Sequence, residues 1–270
     1  MRFIRKRGCE LFNIRRKTEL MNYKADPELL KNRTVLVTGA GDGIGKIAAQ
    51  SFAKHGANVI LLGKTRTKLE SVFDTISSET NTNPIIVQID LANAREEQFK
   101  QLTVAIEREF GRLDGLLHNA SILGSKVPIE SYDTTSWKNV LDVNLNAAFI
   151  LTRELLPVMR KSRDASIIFT SSGVGRKGRA FWGAYAVSKF AIEGLAEVLA
   201  QELENTSNIR VNSLNPGGTR TKMRAQAYPA EDPGTLPMAL QHMALYLYLI
   251  GPDSKGITGE KFDAKTWEGF

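Results

Sequence analysis

The sequence predicts an α/β fold built on a mainly parallel sheet. Three observations predict it. Strand-like apolar runs alternate with amphipathic helical stretches from Arg33 almost to the C-terminus, and the first strand enters a glycine-rich turn that opens a helix. No linker, repeat or low-complexity stretch divides the 270 residues. One domain over residues 21–270 is expected, behind a basic extension at 1–20.

Thr34-Val35-Leu36-Val37 reads as the first buried strand, and Thr38-Gly39-Ala40-Gly41-Asp42-Gly43-Ile44-Gly45 follows at once. A helix is predicted from about Gly43 to His55, with Ile44, Ile47, Ala48, Phe52 and Ala53 inward. Strand, glycine turn and helix make half of a dinucleotide-binding unit. Gly39 permits a tight turn, Gly43 lets backbone approach a pyrophosphate, and Gly45 lets helix pack on strand. The phosphates would meet unpaired N–H groups at the helix N-terminus. Gly39, Gly41, Asp42, Gly43 and Ile44 are therefore candidate cofactor contacts.

Ala57 to Leu62 is the second strand, ending in Gly63-Lys64-Thr65-Arg66. An NAD site usually places a carboxylate here to hold the ribose 2′-hydroxyl. Gly63 removes that carboxylate, and Lys64 and Arg66 offer charge that would welcome a 2′-phosphate. NADP(H) is the expected cofactor. NAD(H) stays open if both cations are simply solvated at a helix start.

Ile85 to Ile89 is the third strand and ends at Asp90-Leu91. A helix over about 94–109 follows, then Leu113 to His118 leads into Asn119-Ala120-Ser121. A long helical stretch, about 133–160, carries Asn144 inside an apolar segment. A buried amide costs stability unless its bonds are met. Asn144 either ties helix to strand or bends the helix locally and holds a water beside Lys189.

The strand-like run Ile167 to Ser171 brings Ser172 to its end. Tyr185 and Lys189 are four apart, so a helix stacks them on one face. A free tyrosine titrates near pH ~10, and a neighbouring ammonium would lower that value. Such a phenol suits acid–base work, with Ser172 as a second hydroxyl on the same substrate oxygen. Taken alone, Tyr-x-x-x-Lys is equally at home on an ordinary amphipathic helix.

Ile209 to Leu214 is a further strand, followed by the sharp loop Asn215-Pro216-Gly217-Gly218-Thr219-Arg220-Thr221. Open α/β sheets bind ligands beyond the carboxyl ends of their strands, where this loop falls. Residues 219–235 read as a flap, a helix is expected near 236–250, and a last short strand around 259–263. Leu123, Phe181, Trp182, Met223 and Tyr228 could line an apolar mouth. Arg176, Lys177 and Arg179 could draw in an anionic substrate or acidic carrier protein, or form a solvated loop.

Seven cations against two carboxylates give residues 1–20 a net charge of +5 out of +7 for the chain. The basicity belongs to one end, which argues against a general nucleic-acid-binding surface. That end could be an arm for membrane surface or nucleic acid, a disordered tail, or the product of a start assigned ahead of Met21. No apolar run reaches the ~20 residues a bilayer needs. Cys9 is the sole cysteine, so no intrachain disulfide forms and a cytoplasmic location is expected. His55, His118 and His242 show no metal-ligand spacing and read as structural.

Together, Thr38-Gly39-x-x-x-Gly43-Ile44-Gly45, Asn119-Ala120, Asn144, Ser172, Tyr185-x-x-x-Lys189 and Pro216-Gly217 resemble the short-chain dehydrogenase/reductase family, over about 31–263. Within it, Phe169 to Ser172, Trp182 to Tyr185 and Asn215 to Thr221 look like the YciK-type branch of bacterial oxidoreductases. The resemblance implies a single-domain Rossmann fold with a doubly wound, mainly parallel seven-stranded sheet and helices on both faces. It implies hydride transfer between the nicotinamide and a small-molecule carbonyl or alcohol. Tyr185 would be the proton donor, Ser172 would bond the same oxygen, and Lys189 would hold the nicotinamide ribose and lower the Tyr185 pKa. Asn144 would support a water-mediated proton path.

Asp90 and Leu91 would flank the adenine, Asn119 and Ala120 would lie near the ribose, and Pro216, Gly217 and Thr219 would meet the nicotinamide side. A homodimer or homotetramer through the helices near 133–160 and 185–204 is implied, with small residues Ala184, Ser188 and Ala191 suited to close packing. An idle NADP-binding scaffold and a 3-oxoacyl-acyl-carrier-type reductase are the competing readings. Two departures stand out. Ser121 replaces a usual glycine, so a positive φ there would be strained, and Phe262-Asp263-Ala264 replaces Asp-Gly-Gly.

Overall fold

The computed structural model describes residues 23–268, so the expectations for residues 1–20, for a start at Met21 and for Cys9 lie outside the described residues. Seven strands form one parallel sheet: β1 Thr34–Thr38, β2 Asn58–Gly63, β3 Ile85–Gln88, β4 Gly115–His118, β5 Ala165–Thr170, β6 Ile209–Asn215 and β7 Lys261–Asp263. Their order is β3-β2-β1-β4-β5-β6-β7. Every pairing is parallel, in place of the mainly parallel sheet expected.

The helices are α1 Gly43–Lys54, α2 Arg66–Glu79, α3 Glu96–Phe110, α4 Thr134–Leu141, α5 Ala147–Met159, α6 Gly183–Glu204, α7 Lys222–Ala227 and α8 Met243–Ile250. They cover both faces, which explains why the strands read as continuous apolar runs. Period-two alternation shares β1 between two cores. Val35 and Val37 join Phe52, Leu61 and Tyr246 on one face, while Leu36 joins Leu62, Leu116, Leu151 and Ile167 on the other.

Strand order reverses between β1 and β4, where Val37 pairs with Leu117. The chain runs outward through β2 and β3, then returns to the other side of β1. The two strand ends therefore diverge and leave a crevice beyond their carboxyl termini.

Three local expectations change. The long helix near 133–160 is continuous but holds a π turn, Asp142–Asn146, between α4 and α5, with Asn144 inside it. The expected helix near 236–250 begins only at Met243, after the 3₁₀ turn Ala239–His242. The stretch 219–235 contains α7 and a 3₁₀ turn at Pro233–Thr235, braced by Arg224 on Glu231 at 2.6 Å.

Candidate active site

β1 and β4 are stitched together where they diverge. The Thr38 hydroxyl accepts from the backbone N–H groups of Asn119 and Ala120, both at 3.0 Å, and Asn119 Nδ2 donates to the Thr38 carbonyl at 3.3 Å. The glycine turn packs against this seam. Gly39 has φ +68, and a Cβ on Gly45 would stand 2.4 Å from the Gly39 carbonyl and 2.5 Å from Asn119 Nδ2. Only glycine lets α1 begin this close to the strand.

The crevice above this seam has a volume of about 660 Å³. The glycine turn lines one end, with Gly39, Gly41, Asp42, Gly43 and Ile44. Gly63, Lys64, Asp90 and Leu91 stand beside it, Asn119 and Ala120 form the floor, and Pro216, Gly217 and Thr219 form the far wall. Ser172, Tyr185 and Lys189 also line it.

Two of the cofactor and catalytic candidates do not line the crevice. Arg66 pairs with Glu70 at 2.8 Å along its own helix, and Lys68 and Thr65 line the crevice instead. Its place at the first position of α2 puts Glu70 one turn away, within reach of its guanidinium. Asn144 lies behind the wall, as its other bonds require.

Asp42 caps α1, accepting from Gly43 N–H at 2.9 Å, and receives Lys68 at 2.7 Å and Lys222 at 3.5 Å. The Lys68 bond, above all, holds its carboxyl below the ordinary carboxylate range. Both lysines reduce the repulsion this carboxylate would exert on a phosphate at the same helix end. Sequence reasoning missed Lys68 and Lys222. Lys68 was readable as the residue one turn beyond Lys64, but its link to the glycine turn depends on the folded crevice.

Ser172 lies two residues past the end of β5, and Tyr185 sits in the first turn of α6. Their hydroxyls are neighbours, close enough for Ser172 to lower the Tyr185 pKa. Lys189 lies one turn further along, its Nζ 5.5 Å from the Tyr185 ring centroid and donating to the Thr170 carbonyl at 2.8 Å. The expectation that Lys189 lowers the Tyr185 pKa is not met. Burial pushes the phenol up to about 12, opposed only by the neighbouring Ser172 hydroxyl. Burial also pushes the ammonium down to about 8. Desolvation outweighs their mutual effect because the whole pair is taken out of water.

The Asn144 amide both ties and bends. Its Oδ1 accepts from Ile122 N–H at 2.8 Å, while Nδ2 donates to the Ile122 carbonyl and to Ser188 Oγ, each at 3.0 Å. A cavity of about 10 Å³ touches Asn144, Lys189, Thr170 and His118. That is the lower limit of what one water needs. His118 is held neutral by burial, which pushes it down to about 3; it bonds Thr152 Oγ1 at 2.8 Å and stacks on Phe169.

The substrate side departs from expectation at several residues. Leu123, Trp182 and Met223 line the mouth, but Phe181 is 55% exposed with φ 70 and does not. Tyr228 stands behind Trp182, ring to ring at 5.8 Å. Arg176 is withdrawn from any substrate: it donates to the buried Glu193 at 3.0 Å and to the Phe262 carbonyl at 2.7 Å, tying α6 to β7. Ser121 is not in the left-handed region, so the expected strain is absent there.

The crevice suits a dinucleotide. It joins a glycine turn at a helix N-terminus to a proton-transfer group, and the hydroxyls of Ser121 and Ser171, buried on its wall, have no partner among the described residues. No helix among the described residues is long and apolar enough to cross a membrane.

Comparison with known proteins agrees with this geometry. The short chain dehydrogenase family profile matches residues 33–232. The Escherichia coli (strain K12) oxidoreductase YciK, itself called uncharacterized, is 49% identical over 245 residues, 91% of this chain and 96% of that one. A Shigella flexneri 2a structure complexed with NADP is 49% identical with a TM-score of 0.87, covering 89% of this chain and 100% of that one. An Escherichia coli CFT073 structure complexed with NADPH is 50% identical with a TM-score of 0.86, covering 89% and 99%.

Proposed function

Because the chain belongs to the short-chain dehydrogenase family, an oxidoreductase family, we propose that it is an NADP(H)-dependent carbonyl reductase with Tyr185 as its proton donor. The observation that carries the reading is the neighbouring hydroxyls of Tyr185 and Ser172 on the crevice wall, with Lys189 one turn away. Bound NADPH would supply the hydride. Lys64 and Lys68 would hold the ribose phosphate, and the N-terminus of α1 the pyrophosphate.

Ser172 would orient the carbonyl oxygen by donating to it. Tyr185, protonated at neutral pH and kept so by burial that raises it further to about 12, would pass its proton to that oxygen as negative charge develops. Lys189, charged below about 8, would stabilise the phenolate left behind. Asn144 would hold the water that reprotonates it, in the small cavity beside Lys189.

The test is a screen of aldehydes, ketones and quinones with NADPH and NADH, following loss of reduced-cofactor absorbance. NADPH is expected to be preferred. Lys64→Asp should move the preference toward NADH by about 10–100-fold, the size of one hydrogen bond to a charged group. An unchanged ratio would mean that the phosphate contact lies elsewhere.

We also assign the chain to a homo-oligomer. Ala184 and Ser188 are buried within the chain, so they cannot form the contact their size suggested. Phe149 of α5 with Val187, Phe190 and Val198 of α6 are instead 45–56% exposed, an apolar surface suited to a second copy. Light scattering should show an oligomer that Phe190→Glu dissociates; a monomeric parent chain would end this assignment.

A further inference from the structure

Just beyond the wall of the substrate mouth, around the Tyr228 ring behind Trp182, stand two cations that no carboxylate among the described residues pairs. Three cations surround the Tyr228 ring. The Arg224 guanidinium lies 3.9 Å from its centroid, Lys126 Nζ 4.6 Å and the Arg179 guanidinium 5.8 Å. Arg224 is matched, with two bonds of 2.6 Å to Glu231. Lys126 and Arg179 are exposed and are held only by neutral partners. Lys126 donates to the Ala227 carbonyl at 2.5 Å, and Arg179 to the Tyr228 hydroxyl at 2.7 Å.

These contacts orient the cations without neutralising them. Aromatic faces attract a cation but contribute no opposite charge. One ammonium N–H and one guanidinium N–H are used, leaving most donors of each group available. The position also matters. Lys126 Nζ lies 4.8 Å from the Trp182 ring, and that ring lies 5.7 Å from Tyr185. Between the cations and the phenol the wall is apolar, formed by Leu123, Trp182, Met223 and Ala227.

Resting on the carbonyl-reductase reading above, we propose that the substrate carries an anionic oxygen group, carboxylate or phosphate, across an apolar body from its carbonyl, and that Lys126 and Arg179 bind that group. A carboxylate or phosphate can accept from the guanidinium fork and the ammonium together. Both cations meet solvent, so the contact weakens as salt rises. The apolar body accounts for the aromatic wall, and the anion fixes which end of the molecule faces Tyr185.

The test uses the full chain saturated with NADP⁺ and three probes: 4-formylbenzoate, 4-formylphenyl phosphate and methyl 4-formylbenzoate. Binding is read from the tryptophan fluorescence change that Trp182→Phe removes. At least one anion is expected to bind ~10-fold or more tightly than the ester, the scale of one charge-assisted hydrogen bond. High salt should erase that difference, and so should Lys126→Met combined with Arg179→Met. In turnover with NADPH, the double variant should lose the preference through KM and not through kcat. Whichever anion loses more identifies the source of the charge.

An ester bound as tightly as both anions, a preference that survives the double variant, or no binding by any probe overturns the proposal; the cations then only brace Tyr228. Preferential anion binding without reduction of any probe keeps the subsite and counts against the reductase reading. Reduction of all three with equal KM does the reverse.

Discussion

Tyr185→Phe is expected to lower carbonyl reduction by ~10³-fold while NADPH remains bound, because positioned proton transfer contributes about 10²–10⁴. The substitution removes one oxygen and keeps the ring that packs against Trp182 at 5.7 Å. Ser172 would still bond the carbonyl oxygen, but an alcohol gives up its proton far less readily than a phenol. The readouts are single-turnover NADPH oxidation and a fluorescence titration of NADPH. A variant that reduces carbonyls at the parent rate would remove Tyr185 from the chemistry. One that binds no NADPH would point to a structural role for the hydroxyl.

Lys189→Met is expected to abolish most activity and to stabilise the fold. Lys189 is 3% exposed, and burial lowers its ammonium from 10.5 to about 8. The folded state therefore carries the cost of burying a charge at every pH below about 8. That cost fades as pH rises from about 8 to 10.5, because the unfolded chain holds the proton across that window and the folded chain does not. Methionine fills similar space without the charge, so a gain on the order of 1–3 kcal/mol is expected near neutral pH, less whatever the freed Thr170 carbonyl costs. Turnover should fall by ~10²-fold or more, since no ammonium remains to stabilise the phenolate. For the parent chain, the rate of reduction should decline as pH rises through about 8. Thermal unfolding and a pH–rate profile check both halves. A less stable variant that kept its activity would contradict the account of a functional charge held at a cost in stability.

Much of the site was readable because its parts are local. The glycine turn, the four-residue spacing of Tyr185 and Lys189, and the loop at Pro216-Gly217 are sequence-adjacent patterns tied to backbone geometry. Arg176 was misread because its partner is remote, whereas the partner of Arg66, Glu70, stands only four residues on and was readable. A cation's availability depends on whether a carboxylate stands beside it in space, and Glu193 lies 17 residues from Arg176. Phe181 and Tyr228 looked alike as apolar mouth residues, yet one turns out to solvent and the other sits behind Trp182. Composition carries no information on that choice.

The sequence by itself determined the alternation of strand and helix, the phosphate turn, and the identity of the groups that could move a proton. Short-range sterics and periodicity dictate these, and they act within a few residues. Tertiary structure alone decided the electrostatics. Whether Tyr185 rests as an acid or a base, whether Lys189 is charged at a given pH, and which cations around Tyr228 stay unmatched all depend on burial and on partners distant in the chain. Desolvation is a property of the packed environment, and it reversed the direction of the one pKa that residue spacing alone had suggested.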